Sequence, residues 1–244
     1  MLHHLIANTH PTWHAILEKS LACMDNDYLD QIQQQTDWLP GLEKLFAAFK
    51  WPLTNIQYIL LGESPYPRAE SANGYAFWDN AVNAIWSAKG LSKEVNRATS
   101  LRNFIKMLLL ARGDLKPDDL SQDAIAKLNK THYCQTAHDL FLTMLNKGFL
   151  LLNATLVLSQ PVRLHAKQWR PFMASLLTQL ADYNSSIQLI LFGYFAAQVP
   201  ETALFKGLRS EHPYNISFIT NPEVLDFFRP LDLLNCYEQS KNRK

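Results

Sequence analysis

Apolar residues recur every three or four positions at the start of the chain. Trp13, Ile16, Leu17 and Leu21 form one face of the segment Pro11 to Met24, and Leu42, Leu45, Phe46 and Phe49 form a second. That period is helical, so the first fifty residues are expected to fold as helices. The pattern then shortens. Ile56-Gln57-Tyr58-Ile59-Leu60-Leu61 is a brief apolar run ending in Gly62, which predicts a buried strand leading into a tight loop. Helical spacing returns over Ser100–Leu110, Ser121–Lys130 (with Ser121 as its cap) and Ala137–Lys147. Phe149–Leu152 predicts a second strand ending at Asn153, Trp169–Tyr183 a helix, and Ile187–Phe192 a third strand before Gly193. A fourth strand is expected over Leu208–Glu211, ending at His212. The tail from Asn221 to Lys244 reads as an amphipathic helix with Pro222 in its first turn and Lys241, Arg243 and Lys244 at its end.

Strands alternating with long helical stretches predict an α/β fold, a largely parallel sheet with helices on both faces. No repeat, low-complexity tract or linker interrupts the order, so residues 1–244 are expected to form a single domain. Open sheets of this kind bind ligands beyond the carboxyl ends of their strands. The Gly62 loop, Asn153 and His212 occupy such ends.

Composition adds exclusions. With 48% hydrophobic and 18% charged residues, the chain is an ordinary globular protein. The 23 Lys+Arg against 22 Asp+Glu leave a net charge of +1, so any nucleic-acid contact must be local. Basic residues gather at Arg97, Arg102 and Lys106, at Arg163, His165, Lys167 and Arg170, and at Lys206, Arg209 and His212. Cys23, Cys134 and Cys236 are widely spaced and lack a C-x-x-C pair, which predicts neither a disulfide framework nor a zinc site and fits a reducing cytoplasm. No metal or cofactor is implied, and no membrane span or secretion signal is recognised.

The segment Gly62-Glu63-Ser64-Pro65-Tyr66-Pro67 is a rigid turn placed directly after a buried strand. It resembles the water-activating motif G-Q-D-P-Y-H of family 1 uracil-DNA glycosylases, and Gly74-Tyr75-Ala76-Phe77 is similar to the G-L-A-F that follows it. Further along, Ser100-Leu101-Arg102-Asn103 resembles the S-L-K-N loop, Leu150-Leu151-Leu152-Asn153 the L-L-L-N strand, and His165 with Trp169 and Phe172 the H-x-n-G-W-x-x-F stretch. His212-Pro213-Tyr214-Asn215-Ile216-Ser217 is similar to H-P-S-P-L-S, and Phe227-Phe228 with Asn235 to F-F and the terminal Asn. The matches keep the family's order from about residue 56 to 236.

The resemblance implies a three-layer α/β/α domain around a four-stranded, largely parallel sheet. It also implies a monofunctional glycosylase that hydrolyses the N-glycosidic bond of deoxyuridine in single- or double-stranded DNA. An enzyme acting on a base must extrude it into a pocket, stack on its face and read its edge. Phe77 supplies the stacking face, Asn153 a donor and an acceptor for O4 and N3–H, and Tyr66 a block where thymine carries its methyl. By the same resemblance His212 stabilises the leaving uracil anion, Ser64 or Glu63 handles water, and Ile216 wedges into the base stack. Ser100, Lys167, Pro213 and Tyr214 are expected at the DNA. Singly, Phe77 also fits a core position, Asn153 a strand-end cap, Tyr66 a packed turn, His212 a structural histidine and Ile216 a buried one.

The departures fall on the chemistry. The motif's water-activating Asp is Ser64, its His is Pro67 and its Gln is Glu63. A serine hydroxyl orients water but is a poor base near neutral pH. Bond cleavage that forms an oxocarbenium ion before water adds would still be served by His212, and Glu63 offers a nearby carboxylate. Tyr214-Asn215, Ala98-Thr99 and a short stretch before Trp169 alter the family's phosphate-gripping loops. The expected protein is a cytoplasmic monomer, with a DNA-mimicking inhibitor protein as a further partner whose recognition these loops would alter. The rival is a catalytically impaired module of the same fold that binds DNA or a protein.

Overall fold

A computed structural model describes residues 3–35, 37–193 and 199–236. Short helices open the chain: α1 (His3–Ile6), α2 (His14–Leu21) and α3 (Asn26–Gln34). There follow β1 (Tyr58–Gly62), β2 (Trp86–Ser87), β3 (Gly90–Leu91), α4 (Lys93–Arg97), α5 (Thr99–Arg112), α6 (Gln122–Lys127) and α7 (Ala137–Asn146). The last part holds β4 (Phe149–Asn153), α8 (Val162–Tyr183), β5 (Gln188–Phe192), β6 (Gly207–Ser210) and α9 (Pro222–Phe228). The main sheet has the order β4-β1-β5-β6, with β1 parallel to both β4 and β5. The four strands read from the sequence are present. The β2–β3 hairpin, with two residues in each strand, was too short to give an alternating signal.

The chain forms two compact units, Met1–Asp79 with Gly148–Gly207, and Asn80–Lys147 with Leu208–Lys244. In the first, Ile59, Leu61, Leu150, Leu152, Leu189 and Leu191 enter one buried cluster with Leu17 and Leu21 of α2, Leu29 and Ile32 of α3, and Trp169, Phe172 and Leu176 of α8. Leu60, Leu151 and Ile190, which alternate with them, are also buried, so these strands read as continuous apolar runs. Helix α8 is longer than its pattern suggested, starting at Val162 rather than Trp169. Pro171 lies inside it on the exposed side, where it has no N–H to offer the carbonyl of Lys167.

In the second unit α5 is buried along most of its length and packs against α9 and the 3-10 turn Ile216–Thr220, with the Phe104 and Phe228 rings edge to face at 5.3 Å. Helix α6 starts on the expected Ser121 cap, and α7 is closed by a Thr136/Asp139 capping box.

Three expectations are corrected. Residues 42–49 form 3-10 turns, Leu42–Lys44 and Ala47–Lys50, in place of a helix, although Leu45, Phe46 and Phe49 are buried as that pattern required. The C-terminal helix stops at Phe228, because Pro230 and the left-handed Asp232 end it; residues 237–244, with their basic end, lie outside the described residues. Cys134 and Cys236, 102 residues apart, are joined as a disulfide. The pairing was invisible in the spacing because an antiparallel bridge between Tyr133 and Asn235 brings the two segments together, with the Cys134 N–H donating to the Leu234 carbonyl at 2.8 Å. A cross-link closing so long a loop contributes about 2–4 kcal/mol. Reductant is therefore expected to lower the urea midpoint of the wild type and leave a Cys134→Ser variant unaffected; equal midpoints with and without reductant would show the thiols unbridged.

Candidate active site

The candidate site is built where β1 and β4 end side by side. Gly62 is in register with Asn153, and the ladder continues past both, the Ala154 N–H donating to the Gly62 carbonyl at 2.8 Å and the Thr155 N–H to the Glu63 carbonyl at 3.0 Å. Glycine is required at position 62: a Cβ there would stand 2.7 Å from Asn153 Oδ1 and 3.0 Å from the Ala76 Cβ. The Asn153 side chain thus lies directly over the Gly62 backbone. It is 3% exposed, and among the described residues no hydrogen bond ties up its amide. A donor and an acceptor without a protein partner, on a residue almost wholly covered at a strand end, are available to a ligand.

Phe77 reaches the same region through a strained backbone, with φ at 65°, a left-handed conformation unusual for an aromatic residue. Neighbouring bonds hold it. The Ala76 N–H donates to the Leu151 carbonyl at 3.1 Å, and the Tyr66 hydroxyl donates to the Phe77 carbonyl at 3.2 Å. The Phe77 ring is half-buried and tilted against Phe192, 5.7 Å between centroids. Burial, followed by the nearby Asp79 charge, pushes the Tyr66 phenol well above its ordinary pKa, so it stays a neutral donor. Asp79 is held in turn by Arg68 at 3.3 Å.

Beyond Gly62 the next two side chains, Glu63 and Ser64, line a groove of about 50 Å³ with Thr155, Arg170, Met173 and Val199. Lys167 stands on the exposed side of α8. His165, grouped by sequence with the basic residues around it, is instead 5% exposed and bonded through its two ring nitrogens to Tyr28 and Ser159, each at 2.7 Å. Its place is the interior, where Trp169 and Phe172 also lie.

The second unit carries the loop after β6. His212 keeps an exposed edge while the surrounding protein partly desolvates the ring, drawing its pKa below the ordinary histidine value. The Tyr214 N–H donates to His212 Nδ1 at 3.1 Å, so a neutral ring carries its proton on Nε2. Asn103 on α5 is the clamp of this loop: its amide donates to the Pro213 carbonyl at 2.8 Å and to the Tyr214 carbonyl at 3.4 Å. The tetrapeptide containing Asn103 was visible in the sequence, but this bond across 110 residues was not. With the backbone held, Tyr214 and Ile216 are 68% and 80% exposed, which removes the buried alternative for Ile216. Ser100 is half-buried in the first turn of α5, where backbone N–H groups lack helical partners.

No protein-family model matches the chain. Among curated relatives, the uracil-DNA glycosylase of Streptococcus thermophilus is 26% identical, with 96% of each chain covered, and that of Streptococcus mutans is 24% identical, with 85% of each covered. Among solved structures, mimivirus uracil-DNA glycosylase bound to UGI shares the fold at a TM-score of 0.58 and 15% identity, over 87% of this chain and 72% of that one. The UNG crystal structure from Nitratifractor salsuginis superposes with a TM-score of 0.91 at 41% identity, covering 96% of both chains. Identity at that level, sustained across nearly the whole of both proteins, means that the chain belongs to the uracil-DNA glycosylase family.

Proposed function

We propose that this protein hydrolyses the N-glycosidic bond of deoxyuridine in DNA, releasing free uracil and leaving an abasic site. The observation that carries the reading is the amide of Asn153, a residue 3% exposed at a strand end, without a partner among the described residues, together with the strained Phe77. Uracil's O4 accepts from the amide N–H and its N3–H donates to the amide oxygen. Phe77 stacks on the base, and Tyr66, fixed by its bond to the Phe77 carbonyl, fills the space a thymine methyl would need. His212 donates Nε2–H to the uracil oxygen on which negative charge grows as the bond breaks, an interaction that strengthens toward the transition state. Ser64 and Glu63 handle the water that completes hydrolysis.

DNA is met by Ser100 at the helix start, by Lys167, and by the loop carrying Pro213, Tyr214 and Ile216. Ile216 takes the space the flipped nucleotide leaves in the stack. The same proposal includes a monomer working on single- or double-stranded DNA, and a DNA-mimicking inhibitor as a partner; the expectation of a reducing cytoplasm, drawn from unpaired cysteines, loses that support with Cys134 and Cys236 joined. Among the described residues no helix is long and apolar enough to cross a membrane.

The test is release of free uracil from an oligonucleotide with one deoxyuridine. Release by the wild type, with thymine- and hypoxanthine-containing controls intact, supports the reading; no release at high enzyme concentration sinks it in favour of a binding module. Ile216→Ala is expected to slow excision about tenfold from duplex and far less from a single strand, where no stack must be opened. Equal slowing on both substrates would remove the wedge role.

A further inference from the structure

The groove beside Gly62 holds four polar side chains that have no hydrogen bond or ion pair among the described residues: Glu63, Ser64, Thr155 and Arg170. They are graded by depth. Thr155 is 6% exposed, with buried Met173 and Val199 beside it, Ser64 is half-buried, and Glu63 and Arg170 are exposed at the rim. A water needs roughly 10–15 Å³, so a groove of about 50 Å³ takes a few waters. Glu63 sets it against a phosphate, which the carboxylate would repel.

We propose that this groove is the hydrolytic-water site, with Glu63 as general base, Ser64 and Thr155 orienting the water, and Arg170 as a positioning residue for the Glu63 carboxylate. The inference rests on the uracil-excision reading and assigns the water within it. The groove begins one residue past the Gly62–Asn153 pair, and the proposal puts the sugar of a base held by Asn153 beside it. The two hydroxyls accept from and donate to water but are weak bases, whereas a carboxylate takes a proton readily. As the glycosidic bond breaks, its electron pair leaves on uracil N1. The water oxygen then bonds to C1′, one water proton passes to Glu63 and is later lost to solvent, and the departed uracil anion takes a proton from solvent to become free uracil. Arg170, on the α8 side of the groove, is too far from Glu63 for a direct ion pair and holds it through water.

The experiment is single-turnover uracil release from a single-stranded oligonucleotide, with the half-saturating enzyme concentration measured alongside. Glu63→Gln should slow the rate about 100-fold with half-saturation unchanged, and formate should restore part of the rate to Glu63→Ala. Thr155→Val should slow it about tenfold while Thr155→Ser retains it, and Arg170→Met should lose about tenfold that Arg170→Lys largely regains. An active wild type whose rate is unmoved by Glu63→Gln and Thr155→Val overturns the water site alone. Loss in Thr155→Ser equal to that in Thr155→Val also overturns it. A wild type that releases no uracil overturns the excision reading itself.

Discussion

Asn153→Leu is expected to lower uracil release about 10⁴-fold and to leave the folded protein as stable as before, or slightly more so. The two effects have one cause. A site built around a hydrogen-bonding pair discriminates by roughly 10⁴–10⁵ against a mismatch, because the buried polar groups on the other side are then unpaired. With leucine at 153, uracil would enter the pocket and lose water from O4 and N3–H with nothing in exchange. In the free protein the amide of the almost wholly covered Asn153 has no partner among the described residues, so removing it breaks no protein hydrogen bond. Leucine has asparagine's branching and its number of side-chain heavy atoms, so it leaves no large cavity. Single-turnover excision and urea denaturation measured on the same preparation decide the matter. A variant that loses activity together with several kcal/mol of stability would show that Asn153 is a structural cap.

His212→Leu should cost about 10²–10³ in the excision rate, the range for deleting one preorganised donor to a developing anion. The wild-type pH profile has a definite sign. Desolvation draws the His212 pKa below the ordinary value of 6.5, so the neutral ring persists as pH falls through the range where a free histidine protonates. At still lower pH the incoming proton must go to Nδ1, which now accepts the Tyr214 N–H, and the loop bond is lost. His212 therefore contributes stability that is present above the unfolded value and lost as pH falls toward the folded one. Excision should hold at neutral pH and decline only on the acid side of the ordinary histidine range, and His212→Asn, a donor that does not titrate, should lack that limb. A wild-type rate that rises on acidification would show that the imidazolium is the active form.

The sequence by itself determined the sheet strands and the residues at their ends. Continuous runs such as Leu60-Leu61 and Leu150-Leu151-Leu152 leave no polar face to expose, so they must be buried as strands, and a glycine or an asparagine that follows is placed at a strand end. It also showed that the motif had changed at Ser64, since residue identity is read directly. The first turns of α8, Val162 to Gln168, were not legible in the local pattern, because Val162 and Leu164 are exposed and leave His165 as the buried residue before Trp169. Tertiary structure alone decided the rest. The Asn103 clamp, the Cys134–Cys236 pairing and the interior place of His165 each join segments more than ninety residues apart. Thr155 and Arg170 entered the site because the ladder past Gly62 and the pitch of α8 bring them to one groove, a proximity that no local periodicity encodes.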